Sequence, residues 1–257
     1  MSIRIGLAGD WHHDLTWAVK AINLFADAGI DEIYHVGDFG FFADESGSDF
    51  LRATDNILHF HDMKIYVTPG NHEDYDLLAG IPLSEDGLQW VTRRIAVMPR
   101  GYRWAVDGRE FVSLGGAASI TYLSQYEGID WWPAERITEA DLHEVSWGGE
   151  ADFMITHEAP LGIRQLDIIK AESASDWEPV ELRYAYLSQK MMSVAVDIVR
   201  PKMLFHGHYH HGYQEDVLFI GGDGSGFSTL ITGLNENGML RNLGILTPQS
   251  YSFEWLF

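Results

Sequence analysis

Residues 206–212 read HGHYHHG and hold four of the chain's 12 histidines. Imidazole titrates near pH 6.5 and clustered imidazoles repel once protonated, so such a tract is a liability unless something occupies its nitrogens. Side chains of related chemistry recur along the chain: Asp10 with His12 in GDWH, Asp38 in GDFG, Asn71 with His72 in GNHE, and His157 in THEAP. Carboxylate, carboxamide oxygen and neutral imidazole, in a chain without cysteine, suit Mn²⁺, Fe or Zn²⁺ better than an all-oxygen Ca²⁺ site. One residue separates the donors in Asp10-x-His12 and in His208-x-His210, and in extended chain residues i and i+2 face the same side. Glycine precedes Asp10, Asp38, Asn71 and His208, which permits tight turns and close backbone approach.

Each of these donors follows a short apolar run of strand character: residues 3–8, 32–36, 64–69, 152–156 and the run that leads into the histidine tract. Two amphipathic stretches separate the first three runs. The first places Leu15, Ala18, Ile22 and Phe25 at helical spacing and stops at Gly29; the second has Ser48 as its candidate N-cap. Strand–helix alternation implies right-handed crossovers and a mainly parallel sheet, and ligands bind such sheets beyond the carboxyl ends of the strands. Five donor-bearing loops are therefore expected to meet at one rim.

From Leu88 onward the pattern shortens into strands, two of them joined by an Asp107-Gly108 hairpin. Residues 119–138 form an aromatic-rich insertion, and Thr138 with Asp141 makes a capping box for a short helix. A longer helix stops before Pro201. The glycine-rich run at 221–226 lacks a following Lys-Ser/Thr and reads as a turn, and Asn235–Gly238 reads as a hairpin. With no repeat or linker, residues 1–257 are expected to form one layered α/β domain.

The formal net charge of −21 opposes binding of long nucleic acid, whose affinity comes mostly from Lys and Arg neutralising phosphates. Bound cations would be needed to attract even a small phosphate. No apolar run approaches the ~18 residues of a membrane span. The first residues lack a signal-peptide pattern, and with no cysteine present a cytoplasmic location is expected.

The five motifs GDWH, GDFG, GNHE, THEAP and GHYH, in that order and each after a strand run, resemble those of the calcineurin-like metallophosphoesterases. The resemblance covers roughly residues 3–210. It implies a four-layer αββα sandwich with a dinuclear centre holding two divalent transition-metal ions, Mn²⁺ first, with Fe, Zn²⁺ or Ni²⁺ as alternatives. By motif position, Asp10, His12 and His210 would hold one ion, Asn71, His157 and His208 the other, and Asp38 would bridge them. His72 matches the family's catalytic histidine. Two metals about 3.5–4 Å apart generate hydroxide near neutral pH and clamp phosphoryl oxygens for in-line displacement.

The phosphoprotein phosphatase branch of the family continues its second motif with Asp-Arg-Gly, whereas this chain has Phe41 where that carboxylate would fall. That departure points away from the branch and leaves Glu73 or Asp74 to orient His72. No arginine adjoins the motifs, so a singly charged diester suits the site better than a monoester dianion, which calls for bidentate arginines. Arg100 and Arg164 are the candidates to reverse that preference from distant loops. The expected activity is hydrolysis of small phosphodiesters such as cyclic nucleotides. A phosphomonoesterase, a metal-dependent nuclease and a non-catalytic scaffold of the same fold are the alternatives. Among the other histidines, His35 is expected as a hydrogen-bonded core residue, His59, His61 and His143 in solvent, and His206 as a support for the ligands.

Overall fold

The computed structural model describes residues 2–257. The first half runs β1 (Ile5–Ala8), α1 (Leu15–Asp27), β2 (Glu32–His35), α2 (Glu45–His61), β3 (Lys64–Val67) and α3 (Tyr75–Ala79). Short strands follow: β4 (Gln89–Trp90), β5 (Ile95–Val97), β6 (Arg103–Val106) and β7 (Arg109–Leu114). The second half continues with α4 (Glu139–Ser146), β8 (Phe153–Thr156), α5 (Arg164–Ser173), α6 (Pro179–Val199), β9 (Met203–His206), β10 (Tyr213–Ile220), β11 (Gly226–Gly233), β12 (Leu243–Thr247) and β13 (Ser252–Trp255).

Two sheets result, with strand orders β13-β12-β1-β2-β3-β5-β4 and β10-β11-β9-β8-β7-β6. The strands that carry donors are parallel to one another, β1 with β2 and β2 with β3 in the first sheet, and β8 with β9 in the second, while β12 joins β1 antiparallel. Three apolar clusters explain the layering. Trp17, Ile22 and Phe25 of α1 and Phe50 and Leu58 of α2 pack on one face of the first sheet. Leu7, Val36, Phe111, Phe153 and Phe205 fill the space between the sheets. Met192, Val196 and Val199 of α6, with Leu166 of α5, cover the outer face of the second sheet. The order is helix, sheet, sheet, helix, because each sheet is apolar on both faces and must be covered twice. Among the described residues, no helix is long and apolar enough to cross a membrane.

Three local readings change. The N-cap of α2 is Asp44, whose side chain accepts from Gly47 N–H, and the Ser48 hydroxyl instead donates to the Asp44 carbonyl. Both residue types cap well, and the earlier one starts the helix a turn sooner. Asn235–Gly238 is no hairpin: it lies between β11 of the second sheet and β12 of the first, so the segment crosses between sheets. The β10–β11 hairpin turns instead at the glycine-rich run, as read. Helix α5 had no assignment from sequence.

Candidate metal centre

Asp10 and His12 follow β1, Asp38 follows β2 and Asn71 follows β3, all at the carboxyl rim of the first sheet. His157 follows β8, and His208 and His210 follow β9. The rim is thus shared by the two sheets of the four-layer sandwich. Asp10, His12, Asp38 and His210 each offer a donor atom, and these atoms lie within 4.8 Å of one another. Asp38 faces both halves of the cluster: Oδ2 is 3.6 Å from His12 Nε2 and Oδ1 is 3.3 Å from His157 Nε2. His157 Nε2 is also 2.9 Å from Asn71 Oδ1, and the His157 and His208 ring centroids are 5.2 Å apart. All seven residues meet.

Hydrogen-bond chemistry shows that the cluster suits cations. His157 Nδ1 lies 2.9 Å from the Val36 carbonyl, which can only accept, so Nδ1 carries the proton. In the neutral ring Nε2 then presents a lone pair toward Asn71 Oδ1 and Asp38 Oδ1, two further acceptors. Three acceptors converge, and a proton or a metal ion must lie among them. Burial alone would lower the His157 pKa, but the Asp38 charge and hydrogen bond, with Asp10 behind, push it to about 10. His12 follows the same logic. Its Nδ1 faces Asn237 Oδ1 at 3.1 Å, an amide whose Nδ2 donates to Asp14, so Nε2 is left for Asp38. Burial opposes protonation there too, and Asp38 and Asp10 overcome it to raise the pKa to about 9. His210 bridges two carboxylates, with Nε2 3.3 Å from Asp10 Oδ2 and Nδ1 3.2 Å from Glu236 Oε2. Burial holds His208 well below pH 6.5, so its ring is neutral and available to a metal. Asp10 Oδ1 is buried without any hydrogen-bond partner, an expensive state that a cation relieves.

The backbone is bent to serve the same end. His12, Asp38, His208 and His210 have φ of 45°, 52°, 68° and 48°, the left-handed region that non-glycine residues rarely enter. Such strain persists where surrounding contacts over-determine it. Here Asp10 Oδ2 accepts from His208 N–H at 2.9 Å and Asp38 Oδ1 from His72 N–H at 2.9 Å. Gly207 and Gly70 allow these approaches, because a Cβ on the first would overlap Asp10 Oδ1 and on the second Asp38 Oδ1.

His72 sits exposed above the cluster, its ring centroid 6.1 Å from that of His12. Neither acidic neighbour orients it. The buried Glu73 carboxylate accepts from Phe39, Gly40 and Phe41 N–H, and Asp74 caps α3 through Leu77 N–H. Glu73 instead fixes the loop after Asp38, while Phe41 is fully buried in the core against Phe39. Arg100 does not reach over the cluster either. Its guanidinium binds the carbonyls of Gly115, Ala134, Glu135 and Arg136 and the Asp141 carboxylate, so it ties down the base of the aromatic segment. Arg164 has its backbone N–H on Glu215 and an exposed side chain.

Sequence reasoning missed the residues that hold the ligands. The buried Glu135 carboxylate accepts from Ser119 N–H and Oγ at 2.7 Å each, from Trp131 Nε1 at 3.0 Å and from Tyr184 Oη at 2.9 Å. Burial pushes its carboxyl up, opposed by those same donors. With its proton given to Glu135, Ser119 Oγ accepts from Asn71 Nδ2 at 2.9 Å and turns Asn71 Oδ1 toward His157. The aromatic segment at 119–138 therefore carries a relay to Asn71. Glu236 and Asn237 in the inter-sheet crossover do the same for His210 and His12. Partners on the second nitrogen of a ligating histidine fix its tautomer and raise its basicity.

Most of the remaining histidines fall as expected from polarity and pattern. His35 is buried and accepts from Gly37 N–H. His206 bonds the Gly207 carbonyl beside the ligand loop and the Tyr213 hydroxyl, and burial lowers its pKa to about 4. His59 and His143 are exposed, whereas His61, expected in solvent, is half-buried with Nε2 2.8 Å from Asn23 Oδ1.

No curated protein matches the chain in sequence. Among solved structures, a protein of Thermus thermophilus aligns over 100% of both chains at 12% identity with a TM-score of 0.56. A dimetal phosphatase from Danio rerio aligns over 96% of this chain and 92% of its own at 11% identity, with a TM-score of 0.57. Identities this low establish the fold alone. The family profile described as calcineurin-like phosphoesterase matches residues 3–212, most of the chain. The chain therefore belongs to the calcineurin-like phosphoesterase family.

Proposed function

We propose that this protein is a metal-dependent phosphoester hydrolase that uses two divalent ions, Mn²⁺ foremost, on small phosphodiesters, with cyclic nucleotides as the leading class. The convergence of acceptor atoms from Asp10, Asp38, Asn71 and His157 with no arginine or lysine partner carries the reading. Among the described residues, no arginine or lysine hydrogen-bonds or pairs with a side chain of the seven. Two ions in such a site supply a nucleophile at neutral pH and neutralise the phosphoryl oxygens.

The chain's own residues divide the remaining work. Asp10, His12 and His210 form one half of the donor set, Asn71, His157 and His208 the other, and Asp38 faces both. Their hydrogen bonds to backbone, Ser119, Asn237 and Glu236 hold them in place before substrate arrives, which spares reorganisation during reaction. His72, exposed at the mouth, protonates the leaving oxygen. A diester's single negative charge needs no arginine clamp, which supports a diester over a monoester. The acidic surface supports a small substrate over a polymer and, with the absence of cysteine, a cytoplasmic setting.

A panel in one Mn²⁺ buffer tests the reading: bis- and mono-p-nitrophenyl phosphate, 2′,3′- and 3′,5′-cyclic nucleotides, and single-stranded DNA. Higher kcat/KM on the diester, with a cyclic nucleotide cleaved, is expected. Preference for the monoester with no cyclic nucleotide cleaved would contradict it.

A further inference from the structure

A cavity of about 570 Å³ opens beside the metal centre, with His208 and Ala118 among its lining residues. Helices α5 and α6 form its other walls, through Ile169 of the first and Leu182 and Ala185 of the second, with Trp177 from the segment between them. Its volume is in the range of sites that enclose a whole small molecule, and its lining is largely apolar. Asp167, Lys170, Ser173, Gln189, His208 and Tyr209 supply its polar lining. Gln189 lines the cavity, is 3% exposed, and has a buried Nε2 without a hydrogen-bond partner. Its amide orientation is fixed, because Oε1 lies 3.0 Å from Lys170 Nζ and an ammonium can only donate. Lys170 is itself paired with Asp167, which leaves no free charge of either sign at this end. The lining therefore offers a ligand no unpaired charge, and Gln189 Nε2 itself is closed off behind the cavity wall.

We infer that this cavity receives the organic group esterified to the phosphate, a planar, uncharged and largely apolar ring system. The inference rests on the hydrolase reading above, which places the phosphate at the metal centre that His208 shares with the cavity. Continuity through His208 lets one ligand span both, its phosphate among the ions and its ring between α5 and α6. Trp177 and Tyr209 offer aromatic surfaces for that ring. A nucleobase meets the description, as does any uncharged ring of similar size. No sequence pattern pointed to the cavity, since its walls come from a helix that had no assignment and from the inner turns of α6.

The test uses two uncharged planar rings, 4-methylumbelliferone and 2-naphthol. Binding to metal-stripped protein is followed by fluorescence, so this part does not depend on catalysis. The wild-type chain is expected to bind both. Ala185→Trp, which fills the cavity from a half-buried position, should abolish binding of both. In Mn²⁺-loaded protein, Ala185→Trp should lower kcat/KM for bis(4-methylumbelliferyl) phosphate at least tenfold without changing metal content. Unchanged binding or unchanged kcat/KM in Ala185→Trp overturns the inference. So does a wild-type dimer that Ala185→Trp dissociates while neither probe binds, since the cavity would then belong to a second copy. Cavity-dependent binding in a wild-type protein that hydrolyses no ester would sustain the ligand site and refute the hydrolase reading instead.

Discussion

Truncating Glu135 should weaken one half of the metal centre and spare the other. Its carboxylate is fully buried and accepts four hydrogen bonds, two of them from Ser119, which is itself 2% exposed. In Glu135→Ala the Trp131 and Tyr184 donors are near enough to the surface to recruit water. The two Ser119 donors are not. An unsatisfied buried donor costs about 1–3 kcal/mol, so the substitution should destabilise the fold by about 2–6 kcal/mol. The functional consequence is separate from that loss. Ser119 Oγ, no longer fixed, releases the Asn71 amide, and losing such a support typically costs about 10–100-fold in metal affinity. Glu135→Gln keeps the volume and, with its oxygen in the Oε1 position, the three contacts from Ser119 N–H, Trp131 and Tyr184, so it should stay folded and isolate the effect on Ser119 Oγ and Asn71. Calorimetric titration of the metal-stripped Gln variant with Mn²⁺ is the assay. One site should weaken by at least tenfold, while the site built from Asp10, His12 and His210 keeps its affinity. Equal weakening of both sites, or of neither, in a variant with native thermal unfolding would refute the relay through Ser119.

Asp38→Ala should lose both metals and all activity, because one carboxylate faces both halves; metal analysis showing one ion retained at full affinity would count against that. His72→Ala should retain two metals yet lose about 10²–10⁴-fold in kcat, the usual contribution of a general acid, and parental rates on an unactivated diester would remove its role. Metal uptake should release protons and strengthen with pH. His157 and His12, raised to about 10 and about 9 by Asp38, are protonated at pH 7.5 and must give up those protons to bind metal. Titration in buffers of different ionisation enthalpy should count about two protons, and release of none would contradict the assignment. Metal-stripped protein should show the matching stability profile. Both histidines have folded pKa values above the unfolded value, so their contribution is complete below about pH 6.5 and is lost as pH rises through 9 to 10. Urea unfolding measured from about pH 6 to 10 reads this directly.

The parts of the molecule that were readable in sequence share a physical cause. A donor that follows a buried parallel strand must lie at the sheet's carboxyl rim, so Asp10, Asp38, Asn71, His157 and His208 were placed by strand pattern, all but His157 with a glycine directly before. The capping box at Thr138 and the glycine-rich turn at 221–226 are local chemistry and came out as read. What escaped depends on contacts distant in sequence. Asn237 and His12 are hydrogen-bonded across most of the chain, and the crossover that carries Asn237 looks like a hairpin when only its turn residues are considered. Glu135 meets Ser119 within one segment, but its meaning comes from Asn71, which no local pattern connects to it. Helix α5 is short and only weakly amphipathic, so periodicity did not separate it from the loops on either side. Phe41 is the instructive substitution: the carboxylate expected near it is absent, and Glu73 stabilises the same loop through three backbone N–H groups instead.

Whether the seven residues of five loops hold two metal ions is tested by elemental analysis of protein loaded with Mn²⁺ and dialysed against metal-free buffer. About two ions per chain are expected, the complement of a two-metal hydrolase, and none after Asp38→Ala. A wild-type chain that retains no ion, with phosphodiesterase activity surviving a strong chelator, would contradict that expectation.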